Sequence, residues 1–173
     1  MEQEKNFVAA VLKVLERKNE EPTKVLIQKF IYFLNTQGIN TYCRFEPYTY
    51  GPYSFQLAST LGSMNFWDEI KEEKEKISII NLNSYNCEKS LMDLLSKKFD
   101  IFKKAVGDLS FANLECFGTA LYCANVLKNY GDELTEEAIK AEFKAWKKNR
   151  YNDAAIHNTY LKIKDFIYPQ LNK

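Results

Sequence analysis

The sequence predicts a mainly α domain of the α+β kind, with one small β element between N-terminal and C-terminal helices. Three observations predict it. Apolar residues recur at helical spacing through most of the 173 residues. The period changes only between about 41 and 82, where aromatic and β-branched residues cluster. Gly (6) and Pro (4) are scarce, which leaves little room for linkers, so a single domain over 1–173 is expected.

The first helix places Phe7, Ala10, Val11, Val14 and Leu15 on one face. Pro22 and Thr23 stop it and cap the next, "TKVLIQKFIYFLNTQG", whose stripe is Ile27, Phe30, Ile31 and Leu34. Gly38 is a natural C-terminal stop. "TYCRFEPYTY" then reads as strand, with Pro47 confining it to an edge or an irregular strand. If extended, Tyr48 and Tyr50 share a face. In "YGPYS", Pro52 biases Gly51 away from the right-handed helical region, and Gly51 allows close approach. Ser54 can accept from the first free amides of a following helix. The segment therefore reads as a strand-to-helix corner, ringed by Tyr48, Tyr50 and Tyr53. These rings either lock the corner or line a groove.

"YSFQLASTLGSM" reads as a short helix, and Ile77–Leu82 as a strand. Beyond 84 the reading is helical throughout. One stripe is Leu91, Leu94, Leu95, Phe99 and Phe102. In 111–128, Phe111, Leu114, Phe117 and Leu121 share one face, and Cys116, Ala120, Cys123 and Leu127 another, which predicts a central helix. Thr135 with Glu136 and Glu137 starts the next helix, with stripe Ile139, Phe143 and Trp146. A last helix carries Ile156, Tyr160, Ile163 and Ile167.

Function classes narrow by exclusion. No apolar run reaches the roughly 18 residues of a membrane span. The acidic, amphipathic N-terminus is unlike a secretory signal, so a cytoplasmic location is expected. Cys43, Cys87, Cys116 and Cys123 form no C-x-x-C pair, and His157 is the one histidine. Buried reduced thiols, no metal and no cofactor are expected. No Gly-rich phosphate loop, H-E-x-x-H or G-x-S-x-G occurs, so the reading is non-enzymatic. The net charge of +1 argues against a dedicated nucleic-acid binder. Lys140, Lys144, Lys147, Lys148 and Arg150 nevertheless make a local +4 with Glu142. That run is either a phosphate-facing patch or the solvated face of a helix.

Two segments carry a family resemblance. "QKFIYFL" (28–34), followed by "YGPYS", resembles the YwgA-like proteins and the related Panacea domain of phage-associated proteins. "LECFGTALYCANVL" looks like the family's later central helix, and the stretch from Leu134 to Phe166 like its closing helical pair. The resemblance implies a protein-binding module, antitoxin-like or regulatory, of phage or mobile-element association. Its partner would be a protein, such as a toxin encoded nearby. The family residues carried over are Gln28, Lys29, Tyr32, Tyr50, Gly51, Pro52, Tyr53 and Ser54, and Tyr48 joins them as a partner-binding residue. Lys29 is read as an amine stacked on a corner tyrosine or as a solvated lysine with a packed stem. The alternative function is a winged-helix-like nucleic-acid-binding regulator, with the Ile77–Leu82 region as wing and the 140–150 lysines on phosphate.

Overall fold

A computed structural model describes residues 2–168; Met1 and 169–173, the ends of the expected 1–173 domain, lie outside the described residues. The described chain is mainly α with two short antiparallel strand pairs. The order is α1 (Glu2–Arg17), α2 (Lys24–Thr36), β1 (Glu46–Tyr48), β2 (Gly51–Tyr53), α3 (Phe55–Phe66), β3 (Ile70–Glu73) and β4 (Lys76–Ile79). Four helices follow: α4 (Lys89–Val106), α5 (Phe111–Tyr130), α6 (Glu136–Lys147) and α7 (Asp153–Ile167).

Side-chain caps set most of the helix starts. Thr23, Ser54, Ser110, Thr135 and Asn152 each accept from an amide of the first turn they precede. Gly38 and Gly131 follow α2 and α5 with φ of +77° and +76°, the left-handed ending that glycine takes without strain.

The expected central helix is α5. It packs against α2, α4, α6, α7 and β2, and Leu114, Phe117, Leu121, Cys123 and Ala124 are all buried. Phe30, Phe33, Phe102 and Phe117 form an aromatic centre between α2, α4 and α5, with neighbouring centroids 5.3–6.2 Å apart. Phe166 closes it from α7, edge-on to Phe33 at 5.1 Å. Two stripe residues fall outside this core: Leu94 and Phe111 are each 40% exposed.

The β elements correct the sequence reading. "YGPYS" is not a bare corner. Gly51–Tyr53 is itself a strand, paired with Glu46–Tyr48 in the register Pro47↔Pro52. Two residues without N–H groups face each other there, which an antiparallel ladder tolerates only at a non-hydrogen-bonded pair. The corner comes one step later, at Ser54. Tyr50 lies in the turn rather than the strand, so Tyr48 and Tyr50 take different ring partners. The second hairpin pairs Ile70 with Ile79 and Glu73 with Lys76, with Lys74 at φ +56° in its turn. The strand expected at Ile77–Leu82 is thus displaced to Lys76–Ile79. This hairpin docks on the entrance of α2, where the Lys24 amide donates to the Glu75 carbonyl and the Ile77 amide to that of Pro22, both at 2.8 Å.

Candidate functional site

The β1–β2 hairpin is too short, and too rich in proline, to hold itself. Buried side chains from α2 and α6 supply the missing bonds. Gln28 makes a reciprocal pair with Ser54: its Nε2 donates to the Ser54 carbonyl at 3.0 Å, and its Oε1 accepts the Ser54 amide at 2.9 Å. Lys29 Nζ donates to the Pro52 carbonyl at 2.8 Å. Lys147 Nζ donates to the Thr49 carbonyl in the turn at 2.7 Å. The Ser54 hydroxyl then accepts the Leu57 amide at 3.1 Å and starts α3. Three polar side chains on two helices thus satisfy backbone groups that a longer ladder would have paired.

Lys147 is anchored in turn by Glu115, which is fully buried on α5. One Glu115 oxygen accepts from Lys147 Nζ at 2.9 Å. The other accepts the Tyr151 hydroxyl at 2.6 Å and lies 3.0 Å from Arg150 Nη2. Arg150 also lies over Tyr50, 5.3 Å from the ring centroid. The expected lysine–tyrosine stack therefore belongs to an arginine. Glu115 is a residue that the motif reading missed. Its signal was available: a lone acid inside "LECFGTALYCANVL", on a helix apolar on two faces.

Lys29 is buried, runs through a slot on α5 and makes no ion pair among the described residues. A Cβ on Gly118 would meet its Cδ at 2.8 Å, and one on Gly51 would meet its Nζ at 3.4 Å and the Thr119 hydroxyl at 3.0 Å. Gly51 also has φ +95°, so both space and backbone require glycine there. Burial pushes the Lys29 ammonium down to about 7, the neighbouring Lys147 cation adds to the drop, and Glu115 opposes it.

Lys29 also lines a cavity of about 440 Å³. Val25, Leu61, Tyr50, Tyr53 and Phe111 form its apolar wall together with the Lys29 stem. Lys24, Glu72 and Glu75 also line it, with Lys24 and Glu72 paired at 2.8 Å. Outside the cavity the hairpin carries exposed rings. Tyr48, Tyr53 and Phe55 form a triangle with centroids 5.0–5.3 Å apart. Tyr48 is 49% and Phe55 51% exposed. Tyr50 packs edge-on against Phe111 at 5.0 Å.

The nine partner-binding residues named from sequence thus divide. Tyr48, Tyr50 and Tyr53 reach the surface. Gln28, Lys29, Gly51, Pro52 and Ser54 are buried and position the hairpin, so their side chains do not themselves face a partner. Tyr32 belongs elsewhere: its hydroxyl accepts from Asn125 Nδ2 at 3.0 Å, and its ring packs on Phe45 and Tyr122.

Four cations of the 140–150 basic run share two carboxylates, which lowers its local charge from +4 to +2. Lys140 and Lys144 both pair with Asp153, while Lys147 and Arg150 pair with Glu115. Lys148 alone among the five has no ion pair among the described residues and is exposed. The run is a set of ion pairs, one of them buried. On the second hairpin, Lys71 pairs with Glu73 and Lys76 with Glu21.

Cys43, Cys116 and Cys123 are buried free thiols, and burial pushes those of Cys43 and Cys123 up to about 12. His157 pairs with Glu136 at 2.5 Å on the surface. Among the described residues no group of three His, Cys, Asp or Glu side chains could hold a metal ion, and no helix is long and apolar enough to cross a membrane. No family model matches the chain, and no curated protein matches it.

Proposed function

We propose that the chain is a protein-binding module, antitoxin-like or regulatory, that engages a partner protein through the aromatic face of the β1–β2 hairpin. The observation that carries this reading is the Tyr48–Tyr53–Phe55 triangle: three rings, two of them half exposed, mounted on backbone that buried side chains immobilise. Rigid aromatic rings give large contact area at little entropic cost, which is the chemistry of interface hot spots. The resemblance of "QKFIYFL" and "YGPYS" to Panacea-type proteins adds the class of partner, a toxin-like protein encoded nearby, and a setting in phage or mobile elements in the cytoplasm.

The test is a pull-down from the native host against a folded control surface. Tyr48→Ala with Phe55→Ala should lose the neighbour-encoded protein, each ring contributing about 2 kcal/mol. Both rings are half exposed, so the melting temperature should hold within a few degrees. Phe66 and Trp67, 75% and 66% exposed, stand roughly 16 Å away at the other end of α3. Phe66→Ala with Trp67→Ala should leave capture intact. Loss of the partner with this second pair and not the first would overturn the surface assignment.

The nucleic-acid alternative makes a different prediction. With four of the five basic residues paired, duplex affinity at physiological salt should stay in the non-specific range, roughly 10⁻⁴–10⁻⁶ M. Fluorescence anisotropy showing nanomolar binding that Lys144→Glu and Lys148→Glu abolish would restore that alternative.

A further inference from the structure

A buried lysine without a carboxylate partner is expensive to keep. This chain keeps one and shapes two glycines around it. The Gly118 slot admits its stem, and the positive-φ Gly51 admits its tip. A single hydrogen bond to the Pro52 carbonyl does not require an amine, because a shorter donor on a less costly side chain serves a backbone carbonyl equally well. The Thr119 hydroxyl beside the tip is buried and has no hydrogen-bond partner among the described residues. The same lysine lines the 440 Å³ cavity whose walls include Tyr50, Tyr53 and Phe111.

We propose that Lys29 is a carbonyl-reactive amine that condenses with a neutral aromatic aldehyde seated between Tyr50, Tyr53 and Phe111. The cavity falls in the usual range for small-molecule sites, and flat aromatic walls suit one or two rings. The confined amine admits an aldehyde more readily than a hindered ketone. Apart from Lys29 itself, the lining charges are Glu72 and Glu75 against Lys24, which disfavours a carboxylate or phosphate tail.

The step balances without an oxidant or reductant. The amine lone pair attacks the carbonyl carbon, and the C=O π pair moves to oxygen, which takes up a proton. The carbinolamine then loses its hydroxyl as water while nitrogen gives up its proton, leaving a C=N bond. Tyr50 and Tyr53 line the cavity and supply phenolic hydroxyls for the proton transfers. Burial and the nearby Lys147 cation keep a large share of the amine neutral, and therefore nucleophilic, at neutral pH. This reading goes beyond partner binding and does not depend on it.

The test traps the imine in the full-length folded chain. Benzaldehyde with sodium cyanoborohydride at pH 7.5, followed by peptide mapping, should place an N-benzyl group on Lys29 at least about tenfold faster than on the exposed lysines, which remain protonated. An excess of benzyl alcohol, which has the ring but no carbonyl, should slow Lys29 and leave the exposed lysines unaffected. 4-Carboxybenzaldehyde should label Lys29 more slowly than benzaldehyde. Lys29→Met should lose the fast adduct and retain the slow background. Labelling spread over exposed lysines with Lys29 unmodified, or Lys29 labelling insensitive to benzyl alcohol, overturns the proposal; neither result depends on a variant that folds.

Discussion

Replacing Glu115 with Ala should remove about 3–5 kcal/mol of stability, because it leaves Lys147 as a buried cation without its anion. That is a large part of the roughly 5–15 kcal/mol that holds an ordinary domain together. Three donors lose their acceptor at once: the Lys147 ammonium, the Tyr151 hydroxyl and the Arg150 guanidinium. Arg150 recovers water because it is exposed, so the loss concentrates on Lys147 and Tyr151. Urea denaturation checks it through the midpoint at constant slope. The pair also makes a sharper claim. Lys147→Met should be costly alone, since it strips the Thr49 carbonyl and leaves the carboxylate buried. The double variant Glu115→Leu with Lys147→Met should cost less than the two single changes summed, because no uncompensated charge remains. A Glu115→Ala loss below about 1 kcal/mol would mean that water already reaches this carboxylate.

The effect should extend to the hairpin. Lys147 is the one buried side chain that joins α6 to the Thr49 turn. Without Glu115 to orient it, amide exchange in Glu46–Tyr53 should accelerate more than in α2.

Helices and their caps were legible in the sequence because both are local. The stripe Ile27, Phe30, Ile31 and Leu34 is buried throughout, and Thr23, Ser54 and Thr135 each cap as their types imply. The site was less legible because its bonds are long-range. Periodicity counts Gln28 and Lys29 as a polar face. They are buried because backbone carbonyls 23–26 residues away need donors. Charge summed along 140–150 gives +4, yet two acids that pair with it, and halve that charge, sit at 115 and 153. "YGPYS" is the strand-to-helix corner that its residues imply, with Ser54 as the cap, but its pairing with Glu46–Tyr48 was not legible. The hairpin sets Pro47 opposite Pro52, and since neither offers an N–H the local sequence gives no ladder signal there. Of the second hairpin only the later strand was read, because "IKEE" is charged and only Ile70 of it turns inward.

The amine that this arrangement buries should set how stability depends on pH. In the unfolded chain Lys29 titrates at its ordinary 10.5, and in the fold at about 7. Between those values the unfolded state binds more protons, so stability rises with pH across the window and falls as pH drops toward 7. At full effect the slope is about 1.4 kcal/mol per pH unit. Three buried thiols, Cys43, Cys116 and Cys123, act in the opposite direction, because burial pushes each of them up in the fold. Cys43 and Cys123 stay protonated in the fold up to about 12, so above roughly pH 8 the unfolded state sheds protons first and stability declines. The clean window is therefore about pH 7 to 8, where Lys29 should contribute a gain on the order of 1 kcal/mol. Lys29→Met should abolish that gain and leave the decline at higher pH intact, whatever its own baseline stability. Urea midpoints at pH 7.0, 7.5 and 8.0 for both chains decide it. Parallel curves for wild type and Lys29→Met would mean that Lys29 stays charged in the fold, held by more than the Pro52 carbonyl.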